Sequence, residues 1–409
     1  MCKIKISNFG AIKGGFQGDD GWLNVNKVTV FVGNQGSGKS TIAKLVSIFT
    51  WIEKGLVRGD RDIKWFEKKN QLKNQFLPYH RLKDYLNADT VIEYIGNAYS
   101  IRYTDGFMDI TKTANGAYHL PQIMYVPAER NFLTYIKSAK TLKLSSEALQ
   151  DFNTEYNNSK DSLKGIIRLP VNDMDIEYIK QHDSLYLKGE DYKIGIIDAS
   201  SGFQSFVPLY LVSSYLANSV KKHSDNKDTM SAEERARFKD NVQNIWNDDS
   251  LTDEQKRLAI SALSAKFNKT AFVNIVEEPE QNLFPSSQWQ MLQSLLTFNN
   301  MSVGNKLVIT THSPYLINYL TLLVKAEELS RKIKTDNQKD DLKKIVSQNA
   351  MIEANNLSIY EFDEKNGCIQ SLETFEGLPS DENRLNMMLD EGNELFAKLL
   401  EIQQQLQKE

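Results

Sequence analysis

The stretch 33-GNQGSGKST-41 constrains the fold of this chain more than any other, because of what flanks it. Before it stands the apolar run KVTVFV, and after it 42-IAKLVSIFTWI-52 repeats apolar residues at helical spacing. Its glycines let backbone amides turn inward around an anion, and a helix that begins there adds partial positive charge. The sequence therefore predicts a strand, a phosphate-binding loop and a helix in succession.

The loop also matches the nucleotide-binding pattern GxxxxGK followed by Ser or Thr. In this pattern Lys39 reaches the β- and γ-phosphates of ATP, and the Ser40 hydroxyl ligates Mg²⁺. A glycine-rich turn with an incidental lysine is the alternative, which the flanking strand and helix disfavour. The predicted ATP-binding residues are Gly33, Asn34, Gln35, Gly36, Ser37, Gly38, Lys39, Ser40 and Thr41.

A pair of carboxylates follows a second apolar run, in 272-FVNIVEEPEQNLFP-285. Nucleotide sites of open α/β sheets lie at the carboxyl ends of the strands, where this run would deliver Glu277 and Glu278. One carboxylate can hold Mg²⁺ through its water shell, and the other can orient and deprotonate the attacking water. We assign the metal role to Glu277 and the catalytic role to Glu278. Two solvated glutamates at a strand end are the alternative.

A lone histidine ends the next apolar strand, in 306-KLVITTHSP-314. A single histidine is more often structural than catalytic. His312 would lie at the same sheet edge as the carboxylate pair, so we expect it to contact the γ-phosphate.

The composition limits which class of protein this chain can belong to. The 409 residues carry a net charge of −4, and a local basic patch can still hide under that acidic total. The two cysteines, Cys2 and Cys368, form no metal spacing and no disulfide framework, which favours a reducing compartment. The start MCKIKISNFG lacks the apolar core of a signal peptide, and the apolar segment 307–324 is interrupted by Thr-Thr-His-Ser-Pro. We therefore expect a cytoplasmic protein without a membrane span.

The remaining patterns divide the chain into three parts. We predict a first lobe over 1–130 with the phosphate loop and a small antiparallel meander, a helical lobe over 131–269 with a charged insertion, and a second half of the core over 270–409. The local predictions are a meander at 90–112, a strand at 122–126, mostly helix over 132–190, helices at 230–238 and 250–267, strands at 271–276 and 306–310, a helix at 286–298, a C-terminal hairpin, and a helix from about Asp381.

Taken together, GNQGSGKST, YVPAERN, SSGFQS, NIVEEPE and ITTHSP resemble, in this order, the motifs of ABC-type ATPase heads of the SMC, RecF and OLD families. The resemblance covers most of the chain and explains the helical insertions least. It implies an α/β fold, namely a P-loop ABC-ATPase head with an N-terminal antiparallel β subdomain and helical insertions. It also implies that the protein binds and hydrolyses ATP with Mg²⁺.

In these families the signature motif serves the nucleotide of a second subunit. By this resemblance Ser201, Gly202 and Gln204 contact the γ-phosphate of a partner copy in a head-to-tail dimer or a higher homo-oligomer. An ordinary helix N-cap is the alternative for Ser201. The Q-loop glutamine of the family is replaced by Glu129, a candidate metal contact, with Arg130 beside it as a candidate phosphate or interface contact. Glu277 stands where the family has aspartate.

The motifs VPAERN, SSGFQS and EEPEQNLFP are most similar to those of ATPase subunits of bacterial anti-phage systems, namely the Septu, retron-associated and PARIS ATPases. This implies a separate effector subunit, a nuclease or toxin, because no Toprim pattern follows the core. One alternative is a DNA-repair ATPase of RecF type, in which the basic stretch 54–83 would contact nucleic acid directly. The other is a nucleotide-gated scaffold whose hydrolysis is vestigial.

Overall fold

The computed structural model describes residues 2–113, 118–136, 144–225, 232–264 and 270–406. Its strands are β1 Cys2–Phe9, β2 Gly15–Phe16, β3 Leu23–Val25, β4 Val28–Gly33, β5 Leu86–Ile95, β6 Tyr99–Thr104, β7 Phe107–Lys112, β8 Pro121–Val126, β9 Ile166–Arg168, β10 Asp175–Ile179, β11 Ser184–Lys188, β12 Lys193–Gly195, β13 Ala271–Glu277, β14 Lys306–Thr311, β15 Leu357–Asp363, β16 Cys368–Ser371, β17 Thr374–Phe375 and β18 Leu378–Pro379. Its α-helices are α1 Lys39–Arg58, α2 Ile63–Phe66, α3 Glu147–Ser162, α4 Ser201–Asp225, α5 Ala232–Asn247, α6 Asp253–Ser264, α7 Pro285–Asn299, α8 Pro314–Lys332, α9 Asp336–Ile345 and α10 Arg384–Leu406.

The largest sheet has the strand order β2-β16-β15-β4-β14-β13-β8, and the five strands from β15 to β8 are parallel. Both faces of its central strands are buried, as is typical of parallel sheets covered by helices. Phe31 packs in one core with α1, whereas Val30 and Val32 pack in the other core with α4 and α7. The alternation of side chains along β4 therefore joins two hydrophobic cores through one sheet.

A five-stranded antiparallel sheet, in the order β3-β1-β5-β6-β7, covers the other side of α1. Phe49 of α1 stacks on Tyr94 of β5 with ring centroids 5.6 Å apart. The predicted meander is present, and one of its turns is made by Asp105 and Gly106, both at positive φ. The predicted α/β fold, with its phosphate loop, antiparallel N-terminal sheet and helical insertions, is confirmed.

The prediction of mostly helix over 132–190 is wrong for much of that segment. After α3 the chain forms a separate four-stranded antiparallel sheet in the order β12-β11-β10-β9. Buried and more exposed residues alternate along β11, so its sequence SLYLK has the period of two that a strand requires. The strands have three to five residues each, too short for this signal to outweigh their polar surroundings.

The charged insertion forms α5 and α6, as predicted, although Met230, Ser231 and 265–267 lie outside the described residues. Thr252 caps α6 reciprocally with Gln255: each accepts the backbone N–H of the other, at 3.2 and 2.9 Å. Helix α4 runs on through Pro208, which lies in its interior and not in its first turn.

The chain closes with the predicted hairpin β15–β16 and with α10, which begins at Arg384, three residues beyond the predicted start. Along α10 several large apolar side chains are more than half exposed: Met387, Met388, Leu395, Phe396, Leu399 and Ile402. No helix in the described part of the chain combines the length and the apolar character needed to cross a membrane.

Candidate functional site

Three neighbouring parallel strands, β4, β14 and β13, end at one edge of the large sheet. The glycine loop follows β4, His312 follows β14, and Glu277 ends β13. The strand order thus brings the glycine loop next to the two motifs that follow it by more than 200 residues in the sequence. This edge, with the loop 34–38, is the candidate nucleotide site.

The loop needs glycine at Gly33 and Gly36, which have φ values of 151° and 73°. A Cβ on Gly33 would lie 2.8 Å from the backbone oxygen of Phe362, so a side chain there would displace β15. A Cβ on Gly36 would meet no atom within 4 Å, so this part of the loop faces open space. The loop is braced from within by Ser37, whose Oγ donates to the Asn34 oxygen at 2.8 Å.

Lys39 is 4% exposed and folds back across the loop. Its Nζ donates to the backbone oxygens of Gly33 at 2.8 Å and Asn34 at 2.7 Å. Burial lowers the pKa of Lys39 to about 8, against the opposing pull of nearby carboxylates, of which Glu278 contributes most. Ser40 follows half-buried, and Thr41 is buried in the first turn of α1.

The two glutamates after β13 have different environments. Glu277 is buried; its Oε2 accepts the Ala128 N–H at 3.4 Å, and its Oε1 lies 4.0 Å from Lys44 Nζ. Glu278 has a φ of 43°, so the backbone turns sharply there, and its N–H donates to the Thr310 oxygen at 2.9 Å. The turn leaves the Glu278 carboxylate 38% exposed at the sheet edge.

His312 lies at the same sheet edge as the carboxylate pair, with 3.5 Å between His312 Nε2 and Glu278 Oε1, and its contact with the γ-phosphate stays a prediction. The contact with His312 lowers the pKa of Glu278 more than burial raises it, so Glu278 is an ionised carboxylate at neutral pH. A carboxylate in this state can accept a proton from water.

Glu280, for which the sequence analysis predicts no role, positions His312. Its Oε1 accepts hydrogen bonds from the Thr311 hydroxyl at 2.7 Å and from the His312 N–H at 2.8 Å. Burial raises the pKa of Glu280. Its place in the EEPE motif was a signal that could have indicated a site role, although not this particular contact.

Arg130 does not lie where a phosphate or a partner subunit could reach it. It is fully buried and donates to backbone oxygens of Glu277 and Glu278 at 2.7 Å each, of Ser205 at 3.0 Å and of Pro127 at 3.2 Å. Burial lowers the pKa of Arg130 to about 10. The suggestion of a phosphate or interface contact is therefore wrong, and the side chain instead fixes the turn that carries both glutamates.

The signature residues at the start of α4 fall into two groups. Ser201 is exposed at the helix start. Gly202 lies against the chain itself, since a Cβ there would be 2.8 Å from the Asn282 oxygen. Gln204 is 3% exposed, donates to the Ile197 oxygen at 2.8 Å and accepts the Tyr135 hydroxyl at 2.7 Å. Its amide is thus engaged inside its own chain, and only Ser201 faces outward as the predicted contact requires.

Glu129 is exposed in the 3₁₀ helix Ala128–Tyr135, next to Ala128, which donates to Glu277. Among the described residues no hydrogen bond joins its carboxylate to the Ser40 hydroxyl, and its metal role stays a prediction.

The donor set fits ATP and Mg²⁺. The loop offers backbone amides, open space at Gly36 and an ammonium group, which suit phosphate oxygens. A hydroxyl and a carboxylate, from Ser40 and Glu277, are oxygen ligands of the kind that Mg²⁺ takes together with phosphate and water. The described residues contain no cluster of three His, Cys, Asp or Glu side chains able to hold a metal alone.

No protein-family model matches the chain, and no curated protein matches it in sequence. Solved structures that resemble it are SMC head domains and ABC ATPase cassettes. The SMC head domain from Thermotoga maritima is 10% identical, with 91% of this chain and 98% of that one covered and a TM-score of 0.36. An Smc head bound to the C-terminal domain of ScpA from Pyrococcus furiosus is 10% identical over 98% and 100%, also at 0.36. The ATP-binding cassette MJ0796 with ADP and Pi is 12% identical over 92% and 100%, at 0.29.

Proposed function

We propose that this chain binds ATP with Mg²⁺ at the loop 33–41 and hydrolyses it slowly. The observation that carries the proposal is the convergence of Lys39, Glu278 and His312 at one sheet edge, with His312 3.5 Å from Glu278 and the Glu278 charge acting on Lys39. A phosphate loop alone would support binding only. An ionised carboxylate beside it supports attack by water.

Each residue of the site has a separate role in this proposal. Lys39 releases the carbonyls of Gly33 and Asn34 and binds the β- and γ-phosphates. Glu278 orients a water and takes its proton, and His312 holds Glu278 on one side. Bound Mg²⁺ would supply charge neutralisation at the phosphates, held by Ser40 and Glu277. Glu280 positions His312 through the backbone.

We further propose that two copies close head to tail around ATP, with the Ser201 hydroxyl of one copy on the γ-phosphate of the other. The exposure of Ser201 at the N-terminus of a long helix supports this, because helix N-termini attract anions. Gln204 would join the contact only by leaving Ile197 and Tyr135, so we assign it to holding α4 in place.

A separate effector subunit, a nuclease or toxin as in the anti-phage systems named above, remains part of the proposal. Its support in the structure is α10, whose exposed apolar side chains form a surface that a folded partner would cover. The protein would then act in the cytoplasm as an ATP-dependent regulator of that partner.

Part of the stretch 54–83 is not available for the alternative of direct DNA binding. Lys54 is 6% exposed, the Arg58 side chain is an ion pair with Asp60, and Arg61 stacks on Trp246 at 4.5 Å. Three of the nine Lys and Arg residues between 54 and 83 are therefore engaged within the protein. Retention of the isolated protein on duplex DNA at physiological salt would restore this alternative.

ATP turnover and sedimentation together test the proposal. The wild-type protein should hydrolyse ATP, and ATP with Mg²⁺ should shift it from monomer to dimer when turnover is blocked by Glu278→Gln. Lys39→Ala should abolish both signals, and Ser201→Arg should abolish the dimer while leaving ATP binding intact. An Ser201→Arg variant that dimerises normally would exclude the head-to-tail arrangement.

A further inference from the structure

A second cavity lies away from the phosphate loop, where α5 and α6 close against α1, β8 and α3. Its volume is about 120 Å³. Its lining includes Trp51, Trp65, His80, Asp151, Trp246 and Arg257. None of these residues belongs to the candidate nucleotide site.

The walls of this cavity are rich in aromatic rings. Three of the five tryptophans of the chain, Trp51, Trp65 and Trp246, line it. Trp65 and Trp246 have ring centroids 6.1 Å apart, and Trp51 lies 5.7 Å from Phe76. Such walls favour a flat aromatic ligand, which can stack on more than one ring.

The charged groups of the lining are balanced within the protein. Arg257 contacts a Glu147 carboxylate oxygen and the Gln75 backbone oxygen, at 2.7 Å each. The Asp151 carboxylate accepts the Tyr79 hydroxyl at 2.6 Å. Arg58 forms an ion pair with Asp60, and the Asp60 carboxylate also interacts electrostatically with Lys54. A strongly charged ligand would disturb these pairs, so the cavity suits a neutral one.

His80 supplies the polar group that such a ligand would need. It is 4% exposed, and neither of its ring nitrogens has a hydrogen-bond partner among the described residues. Its ring packs edge-on against Tyr79 and Tyr125, with centroids 4.6 and 4.5 Å away. Burial lowers its pKa well below the usual value, so it is a neutral imidazole, with one donor and one acceptor to offer.

We propose that this cavity is a second ligand site, for a neutral planar heteroaromatic molecule of the nucleobase or nucleoside class. Stacking on the tryptophans would hold the ring, and one nitrogen of His80 would pair with a donor or an acceptor on its edge. An engineered apolar cavity of about 150 Å³ takes up benzene, so a cavity of about 120 Å³ suits one six-membered ring, and the second ring of a purine would lie towards its mouth. A nucleoside would keep its ribose at the cavity mouth.

Intrinsic tryptophan fluorescence provides the test, because the probes lack phosphate and cannot use the phosphate loop. The full chain is titrated to about 1 mM with adenine, hypoxanthine, cytosine and uracil, and separately with the four corresponding nucleosides. We expect at least one probe to cause a saturable change that Lys39→Ala retains. His80→Phe keeps the ring contacts but removes both nitrogens, and should weaken binding at least tenfold.

The control is Trp289→Phe, which removes a tryptophan outside the cavity and should leave the affinity unchanged. If His80→Phe does not fold, Trp246→Leu on the insertion takes its place with the same expected loss. Bases binding without their nucleosides would place the whole ligand inside the cavity, and nucleosides binding as well would place the ribose at its mouth. No saturable change with any probe, or undiminished binding by both cavity variants, would overturn the proposal.

Discussion

The guanidinium of Arg130 donates a hydrogen bond to the backbone oxygen of Glu278 at 2.7 Å. The same group also donates to Ser205, in the second turn of α4. One buried side chain therefore ties the turn that carries the predicted catalytic carboxylate to the helix that begins with Ser201. If contact with a second subunit shifted α4, this side chain would connect that shift to the turn at Glu278.

Replacing Arg130 should therefore lower the free energy of unfolding. Arg130→Met takes the side-chain donor away from the carbonyls of Ser205, Glu277 and Glu278, and an unpaired buried polar group costs about 1–3 kcal/mol. We expect a loss of about 3 kcal/mol or more in the free energy of unfolding, measured in urea. Arg81→Met, which removes an exposed arginine, should cost less than about 0.5 kcal/mol. Equal stability of the two variants would contradict this structural role of Arg130.

Gly202 tests whether the signature helix is fitted to its own chain. A Cβ there would stand 2.8 Å from the Asn282 backbone oxygen, so Gly202→Ala should cost about 1–3 kcal/mol by overpacking. Gly392→Ala in α10 meets no atom within 4 Å and should stabilise by up to about 1 kcal/mol. If Gly202→Ala lost only ATP-dependent dimerisation and no stability, the glycine would serve the partner's phosphate alone.

The sequence alone predicted those parts of the site that lie within one continuous motif. An apolar run ending in a polar motif marks where β4, β13 and β14 stop, and parallel strands share their carboxyl edge. Gln204 could have been placed inside as well, because it precedes the buried Val207 and Leu211 by three and seven residues on one helix face.

Other features depend on contacts between distant segments. The partners of Arg130 come from β13, α4 and its own loop, and no local pattern indicates that an arginine in PAERN points inward. The cavity around His80 is assembled from α1, β8, α3, α5, α6 and the segment 65–80 between them. Its residues have no common spacing along the chain, so only the folded structure reveals it.

The catalytic assignment predicts that Glu278→Gln binds ATP but barely hydrolyses it. The amide keeps the size of the side chain and cannot take a proton from water, and loss of a general base typically costs 10²–10⁴-fold in rate. The measurement is phosphate release at saturating ATP, with ATP affinity determined separately. Glu391→Gln, on the exposed face of α10, is the matched control and should turn over ATP at the parental rate. A Glu278→Gln rate within threefold of the parent would remove Glu278 from the chemistry.

The lowered pKa of Lys39 predicts how ATP affinity depends on pH. In the free protein burial lowers its pKa to about 8, whereas bound phosphate favours the charged form and raises that pKa. ATP binding should therefore take up a proton near pH 8–9, and affinity should fall as pH rises through 8. Calorimetry in two buffers of different ionisation enthalpy measures the uptake. Lys39→Arg, which stays charged, should take up none in this range. Proton release by the parent would reverse the sign and contradict the assignment.

The exposed face of α10 predicts where a partner protein docks. Leu395 and Leu399 are each 62% exposed and lie four residues apart, on one side of the helix. Replacing both with Glu adds charge to that surface without touching a core residue, so stability and ATP turnover should stay at parental values. Co-purification of a partner protein from the native host should be lost, whereas Glu394→Gln, on the same helix, should retain it. If the double variant still co-purifies with the partner, the effector surface lies elsewhere on the molecule.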